Sequence, residues 1–351
     1  MREVAVVSFA QTPYVRRERR RSEVEMLVPV IGQAIERSGI PKAEIGFTCS
    51  GSSDYIAGQA FAFVGAVDAL GAWPPISESH VEMDGAWALY EAWIKIQCGH
   101  ADSALVFAFG RASMGTLPET LTMQLDPYTL QPLGVDAVSL AALQARAALD
   151  AGLCTEREMA EVAVRSRGDA KRNAFAQLKG DYEVAKILAE PHLISPLRKH
   201  DCPPITDGAA AVVLAAGDVA RRVCRRPAWI RGIDHRIEPH QPGFRDLTAS
   251  PSTALAAKKA GADKAPLDLA ELHAPFTHQE LILRRALALP ASVRINPSGG
   301  PLAANPMMAA GLARIGEAAQ RIHERDAGRA LAHATQGHCL QQNLVCVLEG
   351  E

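Results

Sequence analysis

The side chains best suited to chemistry lie in the second half of this sequence. His273, in the segment HAPF, could polarise a carbonyl group, although it could equally be a hydrogen-bonded core histidine. Asn305 can donate a hydrogen bond but cannot carry a proton near neutral pH, which favours a structural role. His338, in ATQGHCLQQ, is of the residue type that suits proton transfer, the alternative being an exposed loop residue. These three residues form the first candidate site.

A glycine-rich turn precedes Asn305 and is the second candidate for function. Gly299 and Gly300 follow Ser298, between a short apolar run and a helix of small residues. Because glycine has no side chain, backbone amides at this turn can approach a ligand or a second chain closely. The turn is therefore a candidate binding element.

The composition indicates a large globular protein rather than a nucleic-acid or membrane protein. The 351 residues are 48% hydrophobic, which suffices for a large core and for two similar halves. A net charge of −2 favours neither nucleic acid nor an anionic membrane as the main partner. No apolar run reaches the ~18 residues that could span a membrane, and the N-terminal segment turns basic too early for a signal peptide.

The cysteines and histidines do not predict a metal site. The seven cysteines are odd in number and scattered, with no paired CxxC spacing, which predicts a reduced, cytoplasmic setting. His278 follows His273 by five positions without an obvious third ligand, so no metal is expected there.

Alternating strand and helix patterns must position the candidate residues. Apolar runs predict strands at 3–9, 45–51, 103–110, 205–215, 228–237, 267–272, 292–296, 330–335 and 343–349. Helical spacing predicts helices at 24–39, 61–70, 86–98, 137–151, 155–175, 251–261 and 276–287. The region 111–200 breaks the rhythm and is expected to be an insertion that covers one end of a sheet. The alternation predicts an α/β fold of two units, with a mostly parallel sheet.

Several landmarks, in order along nearly the whole chain, resemble the thiolase superfamily. They are the first helix, Ile96-Gly99-Asp102, the segment PLRKHDCPPITDGAAAVVLA (196–215), HAPF, NPSGG and the closing strand pair. HAPF is most similar to the sterol-carrier-protein-type branch, where a His replaces the Asn of the commoner NEAF. The resemblance implies a duplicated five-layer fold (αβαβα), with one half at 1–220, including the insertion, and the other at 225–351.

The resemblance also shows which catalytic groups are missing. A thiolase uses a Cys nucleophile, an activating His, a second Cys for proton transfer and an oxyanion hole containing the Asn or His of the NEAF-like motif. Counting back seventeen residues from Gly99 puts Glu82 at the nucleophile position, as a base, a carboxylate nucleophile or a filler at a helix N-terminus. The Gly-His-Pro of the family reads Ala304-Asn305-Pro306, and the second Cys falls near Gln336–His338. Only His273 matches cleanly.

Three functions are compatible with these substitutions. The first is a subunit of a heteromeric thiolase for steroid or other bulky acyl-CoA esters, in a heterodimer or heterotetramer with a homologue that carries the Cys. The second is a cysteine-independent retro-aldol lyase on hydroxyacyl-CoA, although that group has tyrosines in the HAPF-like and GHP-like segments, which this chain lacks. The third is a non-catalytic acyl-CoA or lipid carrier. A coenzyme A ester is the expected ligand in each, with no further cofactor.

The basic stretch Arg16–Arg21 has two interpretations. A solvated loop is favoured, and a docking patch for coenzyme A phosphates or for a partner is the alternative.

Overall fold

The structure is a computed structural model that describes residues 2–71 and 75–351. The strands are β1 (Val4–Gln11), β2 (Phe47–Gly51), β3 (Ser77–Val81), β4 (Ser103–Arg111), β5 (His192–Ile194), β6 (Leu197–Arg198), β7 (Asp207–Ala216), β8 (Ala228–Ile237), β9 (Leu269–Leu272), β10 (Arg294–Ile295), β11 (Arg329–Gln336) and β12 (Gln342–Glu349). The helices are α1 (Glu23–Ser38), α2 (Asp54–Ala57), α3 (Ala62–Val67), α4 (Gly85–Gln97), α5 (Leu117–Thr122), α6 (Ala137–Asp150), α7 (Glu156–Asp169), α8 (Val184–Ala189), α9 (Gly217–Val223), α10 (Pro251–Ala260), α11 (Thr277–Ala286), α12 (Gly300–Ala303) and α13 (Ala310–His323).

The two halves of the chain repeat one strand order. The main sheet runs β10-β9-β11-β12-β8-β1-β7-β4-β2-β3, so that β3-β2-β4-β7-β1 corresponds to β10-β9-β11-β12-β8. In each half four strands run in one direction, and β7 or β12 runs in the other. The halves meet where β1 pairs antiparallel with β8. This repeated topology confirms the duplicated α/β fold.

The helices and the sheet form five layers. Helix α1 packs on the outer face of the first half and α10 on the outer face of the second, while α4 and α13 pack against each other between the halves. The central core joins Leu89 and Ala92 of α4 with Leu312 and Ile315 of α13. A side chain at Gly316 would lie 2.1 Å from a ring carbon of Phe9, so only glycine lets α13 approach β1 this closely.

Most predicted elements are present, but strands β3, β5 and β6 and the short helices α2, α5, α8 and α9 were not predicted, and one helix is shorter than expected. Strand β3 has the sequence SESHV, which is exposed at two positions and only partly buried at the rest, so its apolar signal is weak. Helix α7 ends at Asp169 rather than near residue 175, because 170–172 form a 3₁₀ turn. The expected insertion lies between β4 and β7 and contains α5–α8 with the small β5-β6 ribbon.

The longest helix among the described residues is α1, with 16 residues. No helix in that part of the chain is long and apolar enough to cross a membrane.

Candidate active site

A cavity of about 250 Å³ lies between the insertion and the second half. Its apolar wall includes Leu117, Leu121, Val138, Ala141, Ile205, Phe276, Met307 and Met308. Its polar wall includes Asp84, Gln124, Asp136, Thr206, His273, Gln279, Asn305, Thr335, Gln336 and His338. A mostly apolar pocket with a few converging polar groups is the usual form of a small-molecule site. The cavity brings together His273, Asn305 and His338, three of the residues that the sequence predicts.

The sheet topology explains why these residues meet. Strands β9 and β11 are parallel neighbours, so their carboxyl ends lie at the same edge of the sheet. His273 follows β9 directly, and His338 lies in the hairpin between β11 and β12. Asn305 lies between α12 and α13, where its backbone N–H donates to Thr206 Oγ1 at 3.1 Å. The second half therefore supplies all three groups.

The hydrogen bonds of His273 determine its tautomer. Its Nδ1 accepts the backbone N–H of Thr335 at 3.3 Å, so its Nε2 carries the proton and donates to Asn305 Oδ1 at 3.1 Å. Burial lowers the pKa of His273 to about 3, with the nearby His333 lowering it further. His273 is thus a neutral imidazole in a fixed orientation. Because it occupies Oδ1 of Asn305, the Nδ2 amide of Asn305 remains available to donate to a ligand.

His338 is held in the cavity wall by a constrained hairpin. The two residues that follow it, Cys339 and Leu340, have φ values of 54° and 59°, each costing about 1–2 kcal/mol for a residue with a side chain. Arg245 clamps this turn by donating to the carbonyl oxygens of His338 at 2.8 Å and Cys339 at 3.1 Å. Strain maintained in this way is typical of functional sites.

The imidazole of His338 has a free nitrogen. Its Nε2 is buried and has no hydrogen-bond partner among the described residues. Burial lowers the pKa of His338 to about 4, and the nearby His240 and Arg245 lower it further. The ring is therefore neutral near pH 7 and can accept a proton. Of the two histidines in the cavity wall, His338 is the one with an unpartnered ring nitrogen, which makes it the candidate for proton transfer.

Asp84, which the sequence analysis did not single out, joins the two central helices. Its carboxylate accepts the backbone N–H of Ala86 at the start of α4, and those of Gly311 and Leu312 at the start of α13, at 2.8–2.9 Å. Burial raises its pKa to about 6, although these three bonds oppose the shift. The local signal was an Asp directly before the helical run, which is a common N-cap.

The structure places Glu82 at the surface, outside the cavity wall. Its side chain is 47% exposed, and it accepts the backbone N–H of Asp54 at 2.6 Å. Glu82 does not line the cavity, because α4 begins at Gly85 and Asp84 is the residue at its N-cap. Glu82 lies on the surface beside β3 instead.

The structure places the glycine turn in the interior, outside the cavity wall. The backbone N–H and the hydroxyl of Ser298 both donate to the Glu271 carboxylate, at 3.0 and 2.7 Å. Glu271 also forms a buried ion pair with Arg314. Gly299 has φ 94°, and a side chain there would lie 2.7 Å from the Cβ of Ala170. Ser298, Gly299 and Gly300 are buried and do not line the cavity. The glycines serve internal packing.

Two cysteines line the cavity, and neither is an activated thiol. Cys339 Sγ faces the carbonyl oxygen of Leu140 at 3.5 Å, and burial raises its pKa to about 11. Burial raises the pKa of Cys202 to about 12. Both thiols are protonated near neutral pH, whereas the thiolate is the nucleophilic form.

Comparison with known proteins identifies relatives of this chain, although no family model matches it. It is 28% identical to an acetyl-CoA acetyltransferase of Methanothermobacter thermautotrophicus over 69% of this chain and 70% of that protein. It is 24% identical to sterol carrier protein 2 of Gallus gallus over 98% of this chain and 70% of that protein. It is also 25% identical to the benzoylsuccinyl-CoA thiolase subunit BbsB of Thauera aromatica, over 54% and 57% of the two chains.

Among solved structures, the chain is similar to the Ltp2-ChsH2(DUF35) aldolase. The TM-score is 0.81 at 18% sequence identity, and the match covers 99% of this chain and 97% of that one. This similarity supports the fold. The sequence relatives include thiolase-type enzymes and sterol carrier protein 2, in agreement with the resemblance to the thiolase superfamily and its sterol-carrier-protein-type branch.

Proposed function

We propose that this chain is a subunit of a heteromeric thiolase-type assembly that degrades steroid or other bulky acyl-CoA esters, and that its own cavity cleaves a carbon–carbon bond of a hydroxyacyl-CoA by a retro-aldol reaction. One observation carries the proposal. His338 is a neutral imidazole with a free nitrogen, and it lines a cavity whose thiols are protonated. Such a site favours proton transfer over acyl transfer to sulfur.

In the proposed reaction His338 takes the proton from the β-hydroxyl group of the substrate. The oxygen then forms a carbonyl with the β-carbon, and the bond between the α- and β-carbons breaks. Its electron pair passes into the thioester as an enolate, and protonation of the α-carbon yields the shorter acyl-CoA. The reaction needs neither free coenzyme A nor a covalent intermediate.

The enolate oxygen needs a hydrogen-bond donor, and Asn305 can supply one. Since Asn305 Oδ1 accepts from His273, its Nδ2 amide is the group left for the substrate. A donor held rigidly before the reaction costs no reorganisation when charge develops. In this proposal His273 positions Asn305 instead of acting on the substrate.

The sequence argued against this reaction because the HAPF and Asn305 segments contain no tyrosine. The proton acceptor proposed here is His338, which the sequence analysis considered for that role, so a tyrosine in the HAPF or Asn305 segment is not required. The name of the aldolase with the similar fold is compatible with this chemistry, although the similarity itself concerns only the fold.

An exposed sheet edge supports the partner in this proposal. Strand β3 ends the sheet, and no described strand pairs with its outer edge. Phe61 is 68% exposed and Val64 56% exposed in the neighbouring α3 region, whose Phe63 stacks on His80 of β3. Exposed apolar residues beside an unpaired strand are typical of a protein–protein interface. The proposed occupant is a second thiolase-fold chain, in a heterodimer or heterotetramer.

The test is to supply a 3-hydroxyacyl-CoA in the absence of free coenzyme A. We expect the assembled complex to release a shorter acyl-CoA and a carbonyl product, because retro-aldol cleavage consumes no thiol. Product formation that depends strictly on added coenzyme A would contradict the proposal. The substrate series should vary the bulk of the acyl group.

The partner can be tested separately by co-purification with a Cys-bearing thiolase homologue. We expect Phe61→Asp to weaken the complex, because it puts a charge into the apolar contact. Leu255→Asp is the matched control, since Leu255 is a 43% exposed apolar residue on α10, on the outer face of the other half. Equal binding by both variants would argue against this surface.

A second candidate function is a supporting subunit of a true thiolase. The similarity to the subunit BbsB of a benzoylsuccinyl-CoA thiolase favours it. In that case the partner would supply the reactive Cys, cleavage would require free coenzyme A, and alkylation of the partner's thiol would abolish it. A His338→Ala variant would then leave the activity of the complex unchanged.

A further inference from the structure

A second cleft, of about 990 Å³, is lined by residues of α1, α7, α11, β10 and α13. None of these lining residues belongs to the cavity that contains His338. Arginines outnumber carboxylates in the lining among the described residues. The arginines are Arg37, Arg165, Arg172, Arg284, Arg294 and Arg321, and the carboxylates are Asp169, Glu317, Glu324 and Asp326. The cleft is therefore large enough for a metabolite and favours a negatively charged one.

One wall of this cleft holds two guanidinium groups beside a single buried carboxylate. Glu280 and Arg284 lie one turn apart on α11, and Arg165 of α7 donates to Glu280 through Nη2. Arg284 forms no hydrogen bond or ion pair with any described residue, and Nη1 of Arg165 has no partner among them either. Three of the other four arginines pair with carboxylates of the lining. Arg165 and Arg284 are thus the cations best placed to bind an anionic group of a ligand.

Glu317 lines the same cleft with a carboxyl oxygen that no side chain uses. It is only 8% exposed, and its Oε1 accepts the side-chain amides of Gln11 at 2.7 Å and Asn173 at 3.1 Å. Its Oε2 has no hydrogen-bond partner in residues 2–71 and 75–351, and it is not sealed from solvent. Burial raises the pKa of Glu317, and the nearby Glu271 raises it further, because too few hydrogen bonds offset its burial. Oε2 is therefore open to a polar group of a ligand.

We infer that this cleft binds a small organic phosphate that also carries hydroxyl groups, either a sugar phosphate or a nucleoside monophosphate. Arg165 and Arg284 would hold the phosphate, whose several oxygens and charge of about −2 can serve both guanidinium groups. Glu317 Oε2 would bind a hydroxyl, which can donate to a carboxylate or accept from a carboxylic acid. An ammonium group suits the site less well, because the lining has an excess of arginines. This inference is independent of the proposed function.

The test is isothermal titration calorimetry of the full chain with ribose 5-phosphate, adenosine 5′-monophosphate, inorganic phosphate and ribose. We expect ribose 5-phosphate, adenosine monophosphate or both to bind about tenfold more tightly than inorganic phosphate or ribose, because only they reach both groups of the site. Tighter binding of adenosine monophosphate than of ribose 5-phosphate would identify a nucleotide as the ligand. Otherwise the sugar phosphate is the recognised unit. No binding, or equal affinity for inorganic phosphate or ribose, would overturn the inference.

A variant of the arginine wall tests the phosphate contact. Arg284→Met should weaken the binding of ribose 5-phosphate and of adenosine monophosphate by about tenfold, because a charged donor to the phosphate is lost. Arg285→Met is the matched control, since Arg285 is the exposed next residue of α11 and lies outside the lining. Equal affinities of the two variants would overturn the assignment of the phosphate to this wall.

A variant of the buried carboxyl group tests the hydroxyl contact. Glu317→Ala should weaken the binding of the same two ligands by about tenfold without weakening the binding of inorganic phosphate. Gln11 and Asn173 keep hydrogen bonds to other partners, since Gln11 also accepts from Tyr14 and Asn173 also donates to Ser298. Unchanged binding of the organic phosphates would overturn the role of Glu317.

Should either variant fail to fold, a crystal structure of the unmodified protein with ribose 5-phosphate or adenosine monophosphate replaces it. The expected result is phosphate density within hydrogen-bond distance of Arg165 or Arg284, with a ligand hydroxyl at Glu317. Ligand density elsewhere, or no ligand density, would overturn the inference.

Discussion

The two halves of the molecule have the same strand order but different contents at the cavity. The second half supplies His273, Asn305 and His338, all at the carboxyl ends of strands or at the start of a helix. In the first half, Asp84 lies at the N-cap of helix α4. Its carboxylate accepts three backbone N–H groups. The proposed chemistry is thus concentrated in one copy of the duplicated unit. The other copy supplies structural support and an exposed sheet edge.

This difference shows that the two halves of a duplicated fold can have different roles. In both halves the helix that follows the third strand points its N-terminus toward the cavity, and a helix N-terminus favours negative charge. Asp84 places a carboxylate between the two helix N-termini. This carboxylate holds the halves together, and it occupies the position where a negatively charged ligand group could otherwise bind.

Replacing His338 tests whether the second half carries the chemistry. In the assembled complex, His338→Gln should lower kcat for carbon–carbon cleavage by about 10²–10⁴-fold, because general acid–base catalysis contributes that much. Glutamine retains hydrogen bonding but cannot carry the proton. The measurement is steady-state kinetics on a 3-hydroxyacyl-CoA without free coenzyme A. His100→Gln is the control, since His100 is an exposed histidine of the first half outside the cavity wall. Similar rates for both variants would remove His338 from the mechanism.

Replacing Asp84 tests whether the first half is the mechanical link. Asp84→Ala should lower the free energy of unfolding by about 2–4 kcal/mol, because three buried backbone N–H groups lose a charged acceptor. Denaturant unfolding measures the change. Asp136→Ala is the control, since Asp136 caps α6 through Ser139 and should cost only about 1 kcal/mol. An equal loss for the two variants would show that Asp84 does not join the halves.

The acid sensitivity of folding should also differ between the halves. Burial lowers the pKa of His278 in the second half to about 3, well below the ordinary value of 6.5. Between these values the unfolded chain binds the proton more strongly, so the contribution of His278 to stability is present above pH 6.5 and is lost as the pH falls. His278→Gln should therefore reduce the pH dependence of the free energy of unfolding by about 1.4 kcal/mol per pH unit below pH 6.5.

Denaturant unfolding from pH 7 down to the acid limit of the native state measures this slope. The control is His100→Gln, an exposed histidine of the first half that should leave the slope unchanged. A His278→Gln variant with the slope of the unmodified protein would mean that His278 is already protonated in the native state.

The sequence predicted the fold well because its core strands are apolar and its helices periodic. Strand β3 was missed because SESHV lies at an exposed edge, where burial leaves no apolar pattern. His338 was a candidate because it lies near the position that the thiolase resemblance gives to the second Cys. The sequence could not show that Gly299 packs tightly against Ala170, because a glycine needed for close packing and one needed for a ligand look the same in sequence. Contacts across the fold, such as those of Asp84 with α13, are not visible in local patterns.

The smallest effect is expected at Glu82, the residue that family spacing places at the nucleophile position. Glu82→Gln should leave kcat nearly unchanged, because the carboxylate is half-exposed and bonded to the backbone of Asp54, away from the cavity wall. Its hydrogen bond survives in glutamine, so stability should change little. Kinetics of the complex, beside His338→Gln in the same assay, measures the contrast. A loss in Glu82→Gln as large as in His338→Gln would mean that the first half reaches the substrate only after the partner binds, since Glu82 lies next to the exposed edge of β3.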